Sequence, residues 1–470
     1  MDTGDHQLDH DLVPILSENQ ERFDKLRAFF REKYNENPSY IVRVPGRVNL
    51  IGEHIDYCGF GVLPMAIEQD VLIAAKVNYD RLVRLANMDS DKYPDVVFPL
   101  ENFTIAIPPN WYHYVLCGLQ GAKDLLKCSQ NLEGLNIAIW GIIPSSSGLS
   151  SSSALVTASL LATYYSAGYR GDLCKLKFAD AAAKCERYIG TQGGAMDQSI
   201  AMLARSGFAK LIEFEPILRA ADVRLPVGSC FFFSHSGKTC NKAATEDFNA
   251  RVLETKVASL MIVDHCHSIM KPGHITCPTL AQIKKQMNKN FDEMLEIVNE
   301  SIEMGKVYKV SDLIKHFDLK DSKELAFLLS NGSTGTMEDA KCLHNYEQGF
   351  KIHDRATHVY SEAQRVEKVF NCAQNGLSGD QILTEIGQLM NESHDSCSNL
   401  YECSCPEVDT LVAHAKSFGA LGSRMTGAGW GGGVVSLVPE HLSSQFHEPM
   451  AQISLFTVAS LPSQGATIYI

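Results

Sequence analysis

Apolar and polar residues alternate over Leu135-Asn136-Ile137-Ala138-Ile139-Trp140, the pattern of a strand with one buried face. Immediately beyond it the period changes. Leu155, Ala158, Leu161 and Tyr165 recur at helical spacing, and serine is favoured where a helix begins. Between the two lies Ile142-Ile143-Pro144-Ser145-Ser146-Ser147-Gly148-Leu149-Ser150-Ser151-Ser152-Ser153. A strand, a Gly/Ser turn and a helix start together aim unpaired backbone N–H groups and a positive dipole end at one point, which suits a phosphate. Gly148 lets the backbone approach closely, and the hydroxyls of Ser150 to Ser153 can bond phosphate oxygens or Mg²⁺. The same composition also fits an ordinary serine-rich loop capping a helix.

Elsewhere, Phe23, Leu26, Phe29 and Phe30 predict a surface helix within residues 12–33, and residues 40–44 alternate like a strand that stops at Pro45-Gly46. Residues 62–67 and 71–75 read as two more strands. A helix over residues 111–126 has Tyr114, Cys117 and Leu125 on one face, with Gly118 and Gly121 beside them to let a neighbour pack close. A second helix over residues 178–189 ends at Gly190. Residues 208–214 and 230–233 are strand candidates, and Pro226-Val227-Gly228 between them marks a domain boundary, giving domains of residues 1–225 and 226–470. From Phe248 to about Glu392 the pattern is helical. Residues 422–433 hold so many glycines that they predict a turn closely approached by something else, followed by a strand over residues 434–438.

Composition changes this picture little. A chain of 470 residues and 51.8 kDa exceeds one comfortable core, so two domains are expected. No apolar run is long enough for a membrane span, and the acidic, polar start lacks the features of a secretory signal, making the cytoplasm the expected compartment. The 14 cysteines are scattered, which favours reduced thiols; neither Cys403-Ser404-Cys405 nor His265-Cys266-His267 has a usual zinc spacing. A net charge of −13 without a basic stripe argues against nucleic acid and requires local cations wherever an anion binds. The expected partners are small molecules, and the expected state a monomer.

Two segments concentrate chemistry. Residues 45–57 crowd Arg47, Glu53, His54 and Asp56 beside glycines, while Val48, Leu50 and Ile51 imply half-burial, where charges persist when paired or used. In residues 190–198, Gly193-Gly194 precede a lone Asp197, which either presents its carboxylate or caps the helix that follows. Gly237-Lys238-Thr239 is no P-loop, because Phe232 stands where that motif needs glycine; Asn241-Lys242 nearby is a possible nucleotide contact.

Taken in order, three segments resemble one family. Residues 45–57 look like the galactokinase signature, residues 144–154 resemble the phosphate-binding motif of the galactokinase, homoserine, mevalonate and phosphomevalonate (GHMP) kinases, and residues 426–432 are similar to that family's C-terminal motif. Within the family, Cys58, residues 241–245 and residues 401–407 are similar to the N-acetylgalactosamine kinase branch. The resemblance implies a two-domain α/β (α+β) GHMP-kinase-like fold with its active site in the interdomain cleft. It implies ATP-dependent phosphorylation of a sugar's anomeric hydroxyl, an acceptor acidic enough for a modest base. By the same resemblance Asp197 would be that base and Arg47 would lend it positive charge. Glu53, His54 and Asp56 would join them in binding the sugar; Gly148, Ser150, Ser151, Asn241 and Lys242 would contact ATP; Ser152 and Glu186 would hold Mg²⁺. N-acetylgalactosamine is the expected acceptor and galactose the alternative. An inert sugar sensor is the reading of another class, disfavoured because the serine loop is intact.

Overall fold

The computed structural model describes residues 13–16, 21–126, 132–168, 174–190, 193–239, 246–266, 277–330, 337–346, 348–374 and 380–470. Its largest sheet has seven strands, in the spatial order Ile15–Leu16, Thr467–Tyr469, Tyr40–Ile51, Leu63–Val77, Leu135–Gly141, Leu82–Asn87 and Val96–Pro99. Alternation along the central strands assigns the two faces. Ile41, Leu72, Ala74 and Ala138 point to one side and pack on Phe23, Leu26 and Phe30 of the helix Glu21–Tyr34. Val42, Ile73, Ala75, Ile137 and Ile139 point to the other and join the main core, where the helices Trp111–Leu126 and Ser151–Ser166 lie. The glycines of Trp111–Leu126 permit this contact: a Cβ on Gly118 would sit 2.5 Å from the Val156 carbonyl oxygen, and one on Gly121 would sit 2.1 Å from Cys185 Sγ.

A four-stranded antiparallel sheet, Gly422–Thr426, Gly433–Pro439, Ser229–His235 and Thr457–Ser460, forms the second layer. The long helix Asp380–Asn399 packs against it, and both this helix and its neighbour Ile352–Gln374 also touch the strand Tyr40–Ile51. The last strand, Thr467–Tyr469, returns to the large sheet and pairs antiparallel with Tyr40–Ile51. Among the described residues, no helix is long and apolar enough to cross a membrane, and no cysteine is disulfide-bonded.

Four local expectations change. The helix expected over residues 12–33 begins at Glu21, and Ile15–Leu16 is a short strand pairing parallel with Thr467–Tyr469. The strand from Tyr40 does not stop at Pro45-Gly46 but runs on to Ile51, its register shifting between Pro45 and Arg47. This bulge absorbs the proline and re-aims the side chain that follows, which is Arg47. Residues 62–67 and 71–75 belong to one strand, Leu63–Val77, because buried Asp70 is neutralised within it by Arg43 Nε at 2.6 Å and Arg22 Nη1 at 2.7 Å. In the glycine-rich stretch, Gly422–Thr426 is already a strand, and the turn begins only at Gly427.

Candidate functional site

The turn after Leu135–Gly141 is wound by three residues in the left-handed region, Ser146 (φ 56°), Gly148 (φ 86°) and Ser150 (φ 58°). Such a winding turns successive N–H groups toward a concavity, and the helix Ser151–Ser166 opens on the same spot with Ser150 as its N-cap. Ser150 Oγ is buried without a hydrogen-bond partner among the described residues. The loop is braced from within and from outside: Ser147 Oγ donates to the Pro144 carbonyl at 2.7 Å, and Lys92 Nζ donates to Ser145 Oγ at 2.8 Å. The glycine turn presses on it too. A Cβ on Gly148 would sit 2.8 Å from the Thr426 carbonyl oxygen, and one on Gly427 would sit 2.7 Å from that of Gly148, so this contact requires glycine on both sides.

The loop lines a cavity of about 480 Å³ with Ser150, Ser151, Ser152, Glu186, Gly429 and Gly431 on its polar side. That volume is in the range of ordinary small-molecule sites. Asn87, Tyr93, Trp111 and Ile142 also line it, none of which the sequence had named as a ligand contact. Trp111 Nε1 is buried without a partner among the described residues.

Arg47 connects this cavity to a second one. Its Nε donates to Asp197 Oδ1 at 2.8 Å, Nη2 lies 2.8 Å from the same oxygen, and Nη1 donates to the Gly148 carbonyl. Asp197 sits in the first turn of the helix Met196–Leu203, whose N-cap is Ala195; no side chain caps that helix. Ser153, facing inward from its helix, donates to Glu186 Oε1 at 2.7 Å and lies 3.3 Å from Asp197 Oδ2, while Gln198 Nε2 donates to Glu186 Oε2 at 2.9 Å. Ser152, one residue earlier, faces the cleft.

The second cavity is lined by Glu53, His54, Asp56, Tyr57, Phe248 and the segment Gly193 to Gln198. At about 30 Å³ it holds little more than a water. Asp56 Oδ2 accepts long hydrogen bonds from the N–H groups of Ala195 (3.3 Å) and Met196 (3.4 Å). A Cβ on Gly194 would fall 2.1 Å from that oxygen, so here glycine serves close approach. His54 has φ 61° and uses both ring nitrogens: Nε2 faces the Ala428 carbonyl at 3.1 Å and Nδ1 the Tyr57 hydroxyl at 2.8 Å. A carbonyl only accepts, so Nε2 carries the proton. Glu53 Oε1 accepts from Gly427 N–H at 2.8 Å and lies 3.4 Å from Arg424 Nη1.

The two cavities share Arg47, Glu186, Asp197 and Ala428. Every site residue named through the family resemblance therefore lines one cavity or both, except Asn241 and Lys242, which lie outside the described residues; Ser153, whose hydroxyl was expected to bond phosphate or Mg²⁺, lines neither and turns to Glu186 instead. Glu362 and Arg424, which hold these residues in place, were missed, as was the bracing role of Ser153. Among the described residues no group of three or more His, Cys, Asp or Glu side chains could hold a metal by itself.

Comparison with known proteins gives the same order of parts. Residues 28–77 match a galactokinase galactose-binding signature, residues 113–205 the N-terminal domain of GHMP kinases, and residues 380–452 their C-terminal domain. The chain is 34% identical to a galactokinase of Dictyostelium discoideum, covering 97% of this chain and 96% of that one. It is 31% identical to a galactokinase of Saccharomyces cerevisiae, covering 94% and 93%. Among solved structures, a Lactococcus lactis galactokinase complexed with galactose superposes with a TM-score of 0.70 at 23% identity, over 95% of this chain and 99% of that one. A Methanococcus jannaschii mevalonate kinase shares the fold with a TM-score of 0.54 at 18% identity, over 90% and 98%.

Proposed function

Because the chain belongs to the galactokinase family of GHMP sugar kinases, we propose that it transfers the γ-phosphoryl group of ATP to the anomeric hydroxyl of a galactose-configured sugar, as a cytoplasmic monomer. The observation that carries this reading is the junction of the two cavities at Arg47 and Asp197. One cavity has the backbone N–H groups and helix end that receive phosphates; the other has carboxylates and an imidazole suited to hydroxyls. We assign both to the seam between residues 1–225 and residues 226–470, since each takes lining residues from both halves.

Phosphoryl transfer asks chiefly for alignment and for positive charge around the transferring group. In this reading Gly148, Ser150 and Ser151 hold the phosphates, with Asn241 and Lys242 as further ATP contacts, and the aromatic wall of Tyr93 and Trp111 suits the base. Asp197 accepts the proton of the C1 hydroxyl as that oxygen attacks phosphorus and ADP departs. Arg47 fixes the carboxylate through two nitrogens on Oδ1 and ties it to the Gly148 carbonyl, so the base and the phosphate loop keep a constant separation. Glu53, His54 and Asp56 orient the sugar.

Mg²⁺ fits the chemistry of the donors on the cleft wall. One carboxylate (Glu186) and one hydroxyl (Ser152), completed by phosphate oxygens and water, are what this cation usually takes from a kinase. When bound, it would neutralise charge on the phosphates.

Galactose is the acceptor that the relatives' names favour. A second reading, N-acetylgalactosamine, is favoured by a contact: the segments resembling that branch abut the sugar-side histidine, with Tyr401 Oη 2.7 Å from Tyr57 Oη and Cys58 Sγ 3.8 Å from the His54 carbonyl. Sugar-dependent ADP release, measured with both sugars side by side, tests the assignment. Turnover of galactose supports the first reading, and a higher kcat/KM on the acetamido sugar supports the second. Release with neither would overturn both.

A further inference from the structure

The sugar-side segment is gripped from behind by residues that none of the sequence motifs contains. Gly52 (φ 105°) and His54 (φ 61°) bend the chain so that two successive N–H groups point inward. One carboxylate oxygen receives both: Glu362 Oε1 accepts from Gly52 at 2.9 Å and from Glu53 at 3.3 Å. A concave pair of N–H groups is a natural anion seat. Glu362, on the helix Ile352–Gln374, is fully buried; Oε1 also accepts from Ser393 Oγ at 2.6 Å and Oε2 from Arg365 Nε at 2.8 Å. Arg424, also fully buried, lies between carboxylates, with Nη1 3.4 Å from Glu53 Oε1 and Nη2 3.8 Å from Glu362 Oε1. Four residues before Glu362 on its helix, His358 donates from Nε2 to the Glu53 carbonyl at 3.1 Å and accepts at Nδ1 from Ser396 Oγ at 2.8 Å. Both main-chain polar groups of Glu53 are thereby fixed by one helix.

Buried charges are a poor means of merely holding a fold, because apolar residues of equal volume often do as well or better. What the charges add is a defined backbone geometry. None of the three residues lines either cavity. We propose that Glu362, with His358 and Arg424, is a positioning unit that sets the shape of the sugar subsite and leaves the nucleotide subsite alone. This rests on reading residues 53–56 as sugar-binding.

Two readouts on Glu362→Gln test it. The sugar KM rises about tenfold or more, as expected for weakening charge-assisted bonds to two amides, while the ATP KM stays within about twofold. Amide hydrogen exchange at Gly52 and Glu53 accelerates by a similar factor, with residues 147–154 unaffected. His358→Phe, which keeps the ring contact with Tyr401 (4.4 Å between centroids), gives the same pattern at smaller amplitude and decides the matter if Glu362→Gln does not fold. An unchanged sugar KM, equal effects on both substrates, or acceleration of exchange throughout the chain would overturn the proposal. If the parent enzyme released no ADP with any sugar, the assigned function would fall, yet the exchange comparison would still decide whether Glu362 fixes the segment.

Discussion

The two cavities that meet at Asp197 are built on different plans. On the phosphate side, about 480 Å³, the part that would receive the anion is backbone: a loop with three left-handed residues, the start of a helix, and a glycine turn pressed against it. The sugar side, about 30 Å³, is made of charged side chains whose partners come from the other end of the chain, such as Glu53 with Arg424 and its amide with Glu362. The contrast follows from the ligands. A phosphate brings its own charge, so amide dipoles suffice to receive it. A neutral sugar brings only hydroxyls, so the protein must supply oriented carboxylates and then neutralise them. One side is preformed, whereas the other admits a hexose only if its walls separate.

The largest effect is expected where the plans join. Asp197→Asn keeps the shape and the hydrogen bond from Arg47 but removes the charge and the proton acceptor. Its kcat should fall by about 10² to 10⁴, with the KM of either substrate changed much less. A variant with near-normal kcat would show that the cavities meet at a structural ion pair and not at the reacting atoms.

Acid should attack the sugar side first. Burial, outweighing the nearby Glu362, pushes His358 down to about 4. The unfolded chain therefore takes up this proton near pH 6.5, while the folded one refuses it until about pH 4. Stability is unaffected above 6.5 and declines as pH falls through that window, by about 3 kcal/mol in total from this group. Burial alone would raise Glu362, but Arg365 and Arg424 hold it down to about 2, so its contribution is lost only at still lower pH. His358→Phe should flatten the decline between pH 6.5 and 4 in chemical-denaturation curves; an unaltered slope would place the acid sensitivity elsewhere.

On the phosphate side, Gly148→Ala tests the backbone design. Alanine at φ 86° costs about 1–2 kcal/mol, and its Cβ would meet the Thr426 carbonyl at 2.8 Å. The ATP KM should rise about tenfold while sugar binding, followed by calorimetry, stays near normal. Equal losses for both ligands would mean that the glycine contact supports the whole cleft.

The same contrast explains what the sequence disclosed. Arg47, Gly148 and Asp197 were legible because each stands in a short segment whose glycines and neighbours announce a special backbone. The helix Trp111–Leu126 and the strand Leu135–Gly141 were legible from period alone. Glu362 and Arg424 were not: they lie 310 and 371 residues from the groups they hold, Glu362 inside an ordinary helical pattern and Arg424 inside a glycine-rich stretch that reads as a turn. The passage of a strand through Pro45-Gly46 was hidden for a related reason. The bulge is stabilised by the phosphate loop, through Arg47 N–H on the Leu149 carbonyl at 3.2 Å, a partner that local pattern cannot supply. Ser153 was grouped with the phosphate-facing hydroxyls because neighbouring serines look alike until the helix turns one of them inward.

The smallest effect gives the finest separation between holding a ligand and holding the fold. Ser150 Oγ is buried with no partner among the described residues, a condition that costs about 1–3 kcal/mol when nothing satisfies the group. Replacing the serine with alanine should therefore leave the melting temperature of the ligand-free protein unchanged or slightly raised. The same change should weaken ATP binding by about three- to tenfold, the usual worth of one hydrogen bond. Opposite signs in the two measurements are what a loop shaped to bind an anion predicts. A loss of stability with undiminished ATP affinity would instead make Ser150 a member of the packing, and the phosphate side would then depend on side chains as much as the sugar side does.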